Sequence, residues 1–180
     1  MRNMSLGLLA LCLSTTPLSA QNSSFHRGTA IPEFGQIATI ETDMPIPQDT
    51  KFNISYDLAK GASIGEINRS FNTAARFINM HIEAGVRQDN IKLAIVVHGT
   101  ASLDLTDNAF YKTKYEGADN ANKKVVAALL AAGVEIIICG QSAAAHGISK
   151  SDLLPGVKMS LSAMTAHALL QQQGYTLNPF

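Results

Sequence analysis

Residues 134–147 read Val-Glu-Ile-Ile-Ile-Cys-Gly-Gln-Ser-Ala-Ala-Ala-His-Gly, a β-branched run that stops at Cys139 and Gly140. Three consecutive isoleucines without polar alternation predict a strand covered on both faces, as in a parallel sheet packed between helices. The run is too short for a helix, whereas the alanine-rich segment 141–146 behind it predicts a short one. Cys139 is thereby placed where a strand ends and a helix begins. That carboxyl edge is where open α/β sheets gather ligands and reacting groups. The free backbone N–H groups of a helix start also favour a thiolate over a thiol.

A second apolar run, Leu93-Ala94-Ile95-Val96-Val97, ends in His98-Gly99. Two strand ends on one edge can lie side by side, and an imidazole beside a thiol can withdraw its proton or stabilise the thiolate. Cys139 and His98 are therefore the candidate catalytic pair. Gly140, Gln141 and Ser142 follow the thiol directly, and their amides are placed to support charge on it. Gly99 and Asn108 belong to the loop after His98 and are expected to line the same crevice.

The rest of the chain supplies the frame. Residues 51–58 alternate Phe52, Ile54, Tyr56 and Leu58 with polar positions, the pattern of a strand with one apolar face. Ile67, Phe71, Ala74, Ile78 and Ile82 repeat at three and four residues and predict a helix over 63–84, stopped by Gly85. Residues 101–107 are mixed in polarity and predict a loop, followed by a short helical piece over 108–115. A helix over 121–132, capped by Asp119 or Asn120, precedes the Cys139 strand. Beyond it come a connector, 149–155, a strand at 157–161, a helix over 162–173 and an edge strand at 175–177. Strands and helices in alternation, with crossovers long enough for parallel pairing, predict a three-layer α/β/α sandwich around a mostly parallel sheet of four to five strands.

The amino terminus reads as an address. Arg2, the apolar segment 6–13, Pro17 and then Leu18-Ser19-Ala20 have the pattern of a signal peptide, 1–20, cleaved before Gln21. That apolar segment is too short to span a bilayer. The expected product is an exported, periplasmic protein without a membrane anchor. Residues 21–50, carrying Pro32, Pro45 and Pro47, are expected to form an extended arm, and 51–180 the α/β domain.

Composition excludes several classes. There are 14 Lys and Arg residues against 14 Asp and Glu, with no basic stripe, so a nucleic-acid surface is not expected. Cys12 leaves with the signal peptide, and a lone Cys139 forms neither an internal disulfide nor a two-cysteine redox motif. No histidine or carboxylate spacing suggests a metal site, and no glycine-rich phosphate loop suggests a nucleotide, so no cofactor is expected.

Taken together, Val96-Val97-His98-Gly99, Gly133-Val134-Glu135, Ile138-Cys139-Gly140-Gln141-Ser142, Leu153-Leu154-Pro155-Gly156-Val157 and Gln171-Gln172-Gln173-Gly174-Tyr175 resemble the exported branch of the DsrE/DsrF-like family. The resemblance covers about residues 52–175. It implies a YchN-like α/β fold assembled into homotrimers or homohexamers. In the cytosolic sulfur-relay relatives, a cysteine at this strand end, ahead of an alanine-rich helix, accepts sulfur as a persulfide. Cys139, ahead of Ala143-Ala144-Ala145, matches that position. The resemblance thus implies a sulfurtransferase or sulfur carrier with a donor or acceptor protein as partner. Here Gly140-Gln141-Ser142 replaces the apolar residues of the relay proteins. The alternative is a non-enzymatic oligomeric module that binds a small ligand or partner at the same edge, with Cys139 buried and structural. No third residue to orient His98 can be named from the sequence, which sets a cysteine hydrolase behind both.

Overall fold

The computed structural model describes residues 24–47 and 49–179. The expected signal peptide and its cleavage point lie outside the described residues. The strands are β1 (Phe25–His26), β2 (Ile37–Ala38), β3 (Phe52–Leu58), β4 (Ile91–Val97), β5 (Glu135–Cys139), β6 (Lys158–Ser160) and β7 (Thr176–Asn178). The helices are α1 (Arg69–Glu83), α2 (Asn108–Lys114), α3 (Lys123–Ala131), α4 (Gly140–His146) and α5 (Ala163–Gln172). Strands β3 to β7 form one five-stranded sheet in the order β6-β5-β4-β3-β7, with every pairing parallel. The α/β fold class holds.

The two apolar runs occupy the centre, as their lack of alternation requires. Leu93, Ile95 and Val97 of β4 join Ile136 and Ile138 of β5 in the main core, against Phe71, Ala74 and Ile78 of α1 and Val125, Val126 and Leu129 of α3. The alternate residues Ala94 and Val96 face the other way, where Ala166 and Leu170 of α5 cover them. On that second face the cover is α5, with Ala163 and Tyr175 at its margin.

Three expectations need correction. The first long helix begins at Arg69 rather than residue 63, because Gly65 has φ 80° and Asn68 closes the turn by accepting from Ser70 N–H as N-cap. The segment expected as a loop is a 3-10 helix, Gly99–Leu105, in which 101–105 are all buried, since Ala101, Leu103 and Leu105 join the main core. The N-cap of α3 is Asn122, and Asn120 works one step back by accepting the Asn122 N–H at 2.9 Å.

The arm is docked. Strands β1 and β2 pair antiparallel, and the buried Asn79 side chain of α1 holds the turn between them. Its carbonyl accepts from Ile31 N–H at 2.9 Å, and its NH2 donates to the carbonyls of Ile31, Phe34 and Gly35 at 3.1, 2.9 and 3.1 Å. Gly35 (φ 65°) approaches so closely that a Cβ there would lie 2.1 Å from the Arg76 amide nitrogen. Asn79→Leu keeps the bulk but removes every one of these partners. The expected cost is about 2–4 kcal/mol of unfolding free energy in urea melts, with faster proteolysis in the arm.

Candidate functional site

The site is built on the carboxyl edge of the sheet, on the face that α5 covers. Ile137 packs against this face, so Cys139, two residues on, points the same way. Val96 does too, which places His98 on the same side, one strand over.

Cys139 is 5% exposed and is the N-cap of α4. Its sulfur accepts from the Ser142 N–H at 3.5 Å. Burial pushes the thiol pKa up, but the Ser142 amide and hydroxyl and the amides of Ala163 and Gln141 outweigh it and hold the pKa below the ordinary thiol value. The donors come from the starts of two helices, α4 and α5. The sequence placed the first of these and not the second.

Glycine makes this convergence possible. A Cβ on Gly140 would lie 2.7 Å from the Ser160 carbonyl oxygen and 3.2 Å from that of Leu161. Only a hydrogen there lets the segment between β6 and α5 close over the thiol. Gln141 reinforces the contact by donating its Nε2–H to the Leu161 carbonyl at 3.3 Å. Gly99 takes two bonds from α4: its N–H donates to Ser142 Oγ at 3.0 Å, and its carbonyl accepts from His146 Nε2 at 3.0 Å. Ser142 therefore links the loop after β4 to the sulfur, accepting from Gly99 and donating to Cys139.

His98 lies at the edge as expected, but its ring is turned away from the thiol. Its Nε2 contacts both carboxylate oxygens of Asp57 at 3.1 and 3.2 Å. Asp57 also accepts from His167 Nε2 at 2.8 Å. Burial raises the Asp57 pKa, and the two histidines more than reverse that, leaving the carboxyl below its usual range. Asn108 belongs elsewhere: its amide donates to Asp119 at 2.6 Å and its carbonyl accepts from Asn120 N–H at 3.1 Å, both within the loop ahead of α3. The structure thus gathers Cys139, Gly140, Gln141, Ser142 and Gly99, sets His98 beside them facing Asp57, and leaves Asn108 out.

Asp57 and His167 were missed in the sequence. Asp57 did carry a signal, as the one acidic residue on the polar side of the 51–58 alternation, one position from the strand's carboxyl end. His167 lies four residues after Ala163, so one face of α5 presents both the amide for Cys139 and the imidazole for Asp57. Among the described residues, no group of three His, Cys, Asp or Glu side chains is arranged to hold a metal ion.

A sequence profile of the DsrE/DsrF-like family matches residues 52–179, from the first residue of β3 to beyond β7. The chain belongs to the DsrE/DsrF-like family. Two solved structures share its fold. One is a protein of unknown function, MTH1491 from Methanobacterium thermoautotrophicum, with TM-score 0.51 at 17% identity, covering 73% of this chain and 100% of that one. The other is the ychN protein from E. coli, with TM-score 0.50 at 18% identity, covering 72% of this chain and 100% of that one. A search of curated proteins finds no match. For this DsrE-like chain, family membership suggests a sulfur-related role, and the likeness to the two structures concerns the fold.

Proposed function

We propose that this DsrE-like protein handles sulfane sulfur, with Cys139 as the carrier. The observation that supports the reading most is the ring of donors on the sulfur, from Ser142, Ala163 and Gln141, which favours a thiolate at a covered sheet edge. In the proposed step the Cys139 thiolate attacks the outer sulfur of a persulfide or polysulfide. The donor's S–S bond breaks, its remaining sulfur leaves as a thiolate, and Cys139 holds the persulfide. Sulfur and electrons balance without an outside oxidant. Thiol exchange of this kind is fastest when the attacking group ionises near ambient pH.

The test is mass spectrometry of the native protein after incubation with polysulfide or thiosulfate. The expected result is one added sulfur on the Cys139 peptide, removed by a reducing thiol. An unmodified peptide alongside a polysulfide-reactive control thiol refutes the carrier reading.

The slight exposure of Cys139 supports the rival reading of an oligomeric binding module with a structural cysteine. A native thiol that resists alkylation until the protein unfolds would decide for it. We further propose export to the periplasm, on the pattern of residues 1–20. We also propose assembly into a homotrimer or homohexamer, a reading supported by Leu161, Met164 and Leu169, which are 72%, 80% and 50% exposed on and beside α5. Light scattering is expected to give a multiple of three chains, and a stable monomer at micromolar concentration would overturn it.

A further inference from the structure

A cleft opens where the arm crosses the end of α1, at the edge of the sheet opposite the thiol. His81, which lines it, meets the ring of Phe52, the first residue of β3, at 4.4 Å between centroids, whereas Cys139 is the last residue of β5. The cleft measures about 340 Å3, near the lower limit of small-molecule sites. Ile37, Ile40 and Ile46 of the arm and Met80 of α1 give it apolar walls. These walls are left partly open: Ile40 is 73% exposed, Met80 40%, and Met44 in the same stretch of arm 83%. The polar groups inside are chiefly acceptors. His81 donates Nδ1–H to the Phe77 carbonyl at 2.7 Å, so Nε2 carries a lone pair, and it makes no hydrogen bond among the described residues. Stacking on Phe77, at 3.9 Å between centroids, fixes the ring, and burial lowers its pKa, which keeps it neutral near pH 7. Glu83 adds a carboxylate that accepts from Thr39 at 3.1 Å and from His26 at 2.8 Å. None of the lining side chains is Lys or Arg. The arm has the same bias, since residues 28–50 include Glu33, Glu41, Asp43 and Asp49 but no Lys or Arg. On α1 itself, Arg76 is engaged by the Gln36 carbonyl and the Phe25 ring.

We propose that this cleft binds a small organic ammonium ion, with its hydrocarbon body against the isoleucines and Met80 and an N–H donated to His81 Nε2. Three features select that chemistry. Open apolar walls call for a hydrocarbon part, because covering them removes apolar surface from water. A half-buried acceptor without a partner calls for a donor, since an unmade hydrogen bond there costs more than the bond gains in water. An acidic arm and a lining without Lys or Arg favour a cation and disfavour a carboxylate or phosphate of the same shape. The site shares no residue with the Cys139 edge, so it stands or falls independently of the carrier reading.

The test is a titration at pH 7 with three probes that share one hydrocarbon chain and differ in head group: hexylammonium, 1-hexanol and hexanoate. The protein carries 13C-methyl methionine, and the Met80 and Met44 methyl signals report the cleft and its rim. Hexylammonium is expected to shift the Met80 signal saturably and to bind at least about tenfold more tightly than hexanoate, with hexanol between them. His81→Phe keeps an aromatic ring but removes the acceptor, and is expected to weaken hexylammonium binding several-fold. Ile40→Ser, on the exposed wall, is expected to weaken all three probes alike. A Met80 signal that does not respond saturably to hexylammonium overturns the proposal, and so does hexanoate binding as tightly. Wild-type affinity in His81→Phe removes the assigned acceptor and overturns it as well. The comparison of probes is made on the wild-type chain, so a failure of His81→Phe to fold leaves the test intact.

Discussion

Cys139→Ser is expected to take up no sulfur from polysulfide while the folded protein stays within about 1 kcal/mol of wild type. The residue accepts hydrogen bonds at the start of α4, and the serine oxygen can accept in its place. It cannot, however, attack a sulfane sulfur at neutral pH. Cys139→Ala serves as the contrast, since it leaves the Ser142 and Ala163 donors facing a methyl group. It should lose loading equally but melt lower than the serine variant. Loading by Cys139→Ser, read on the intact mass, would move the chemistry to another residue.

The largest expected effect on stability lies at Asp104. This carboxylate is 1% exposed at the far end of the 3-10 helix after His98. One oxygen, Oδ2, accepts from Asn68 Nδ2 at 2.7 Å and from Ala62 N–H at 2.9 Å. The Asn68 N–H in turn donates to Asn122 Oδ1 at 2.7 Å, and Asn120 donates to the Asp104 and Thr106 carbonyls at 2.9 and 2.7 Å. The network ties the entry to α1, the segment after β4 and the entry to α3 into one polar knot beneath the loops. Asp104→Ala leaves the buried Asn68 amide and the part-buried Ala62 N–H without this acceptor, and the expected cost is about 2–5 kcal/mol in urea unfolding. Asp104→Asn keeps an acceptor for both donors and is expected to cost far less.

The pH dependence gives a second readout with a definite sign. Burial raises the Asp104 pKa, and the donors from Asn68 and Ala62 only partly oppose it. The folded protein therefore keeps this proton to higher pH than the unfolded chain does. Between the ordinary carboxylate range and that raised value, the native state binds more protons, so stability falls as pH rises. Asp104→Asn should flatten this part of the curve, so that its small deficit against wild type shrinks as pH rises. A curve as steep in the variant as in wild type would show that other groups set the slope.

The sequence by itself determined the strands and the edge. The isoleucine run before Cys139 and the Leu93–Val97 run are periodic signals carried by adjacent residues, and each is satisfied only by burial on both faces, so each is legible without the partner strand. The same holds for Cys139 at a helix start and for the glycines behind it. Tertiary structure decided what those side chains meet. Asp57 and His167 are 110 positions apart and touch because α5 covers the face of the sheet to which Asp57 of β3 points. The Ala163 amide reaches the sulfur only because Gly140 admits the turn after β6. Likewise the His98 ring direction, the docking of the arm on Asn79 and the burial of 101–105 follow from hydrogen bonds between segments remote in the chain. Periodicity reports which face of an element is apolar, because that preference is local. Partners across the fold are chosen by geometry that exists only once the layers have closed.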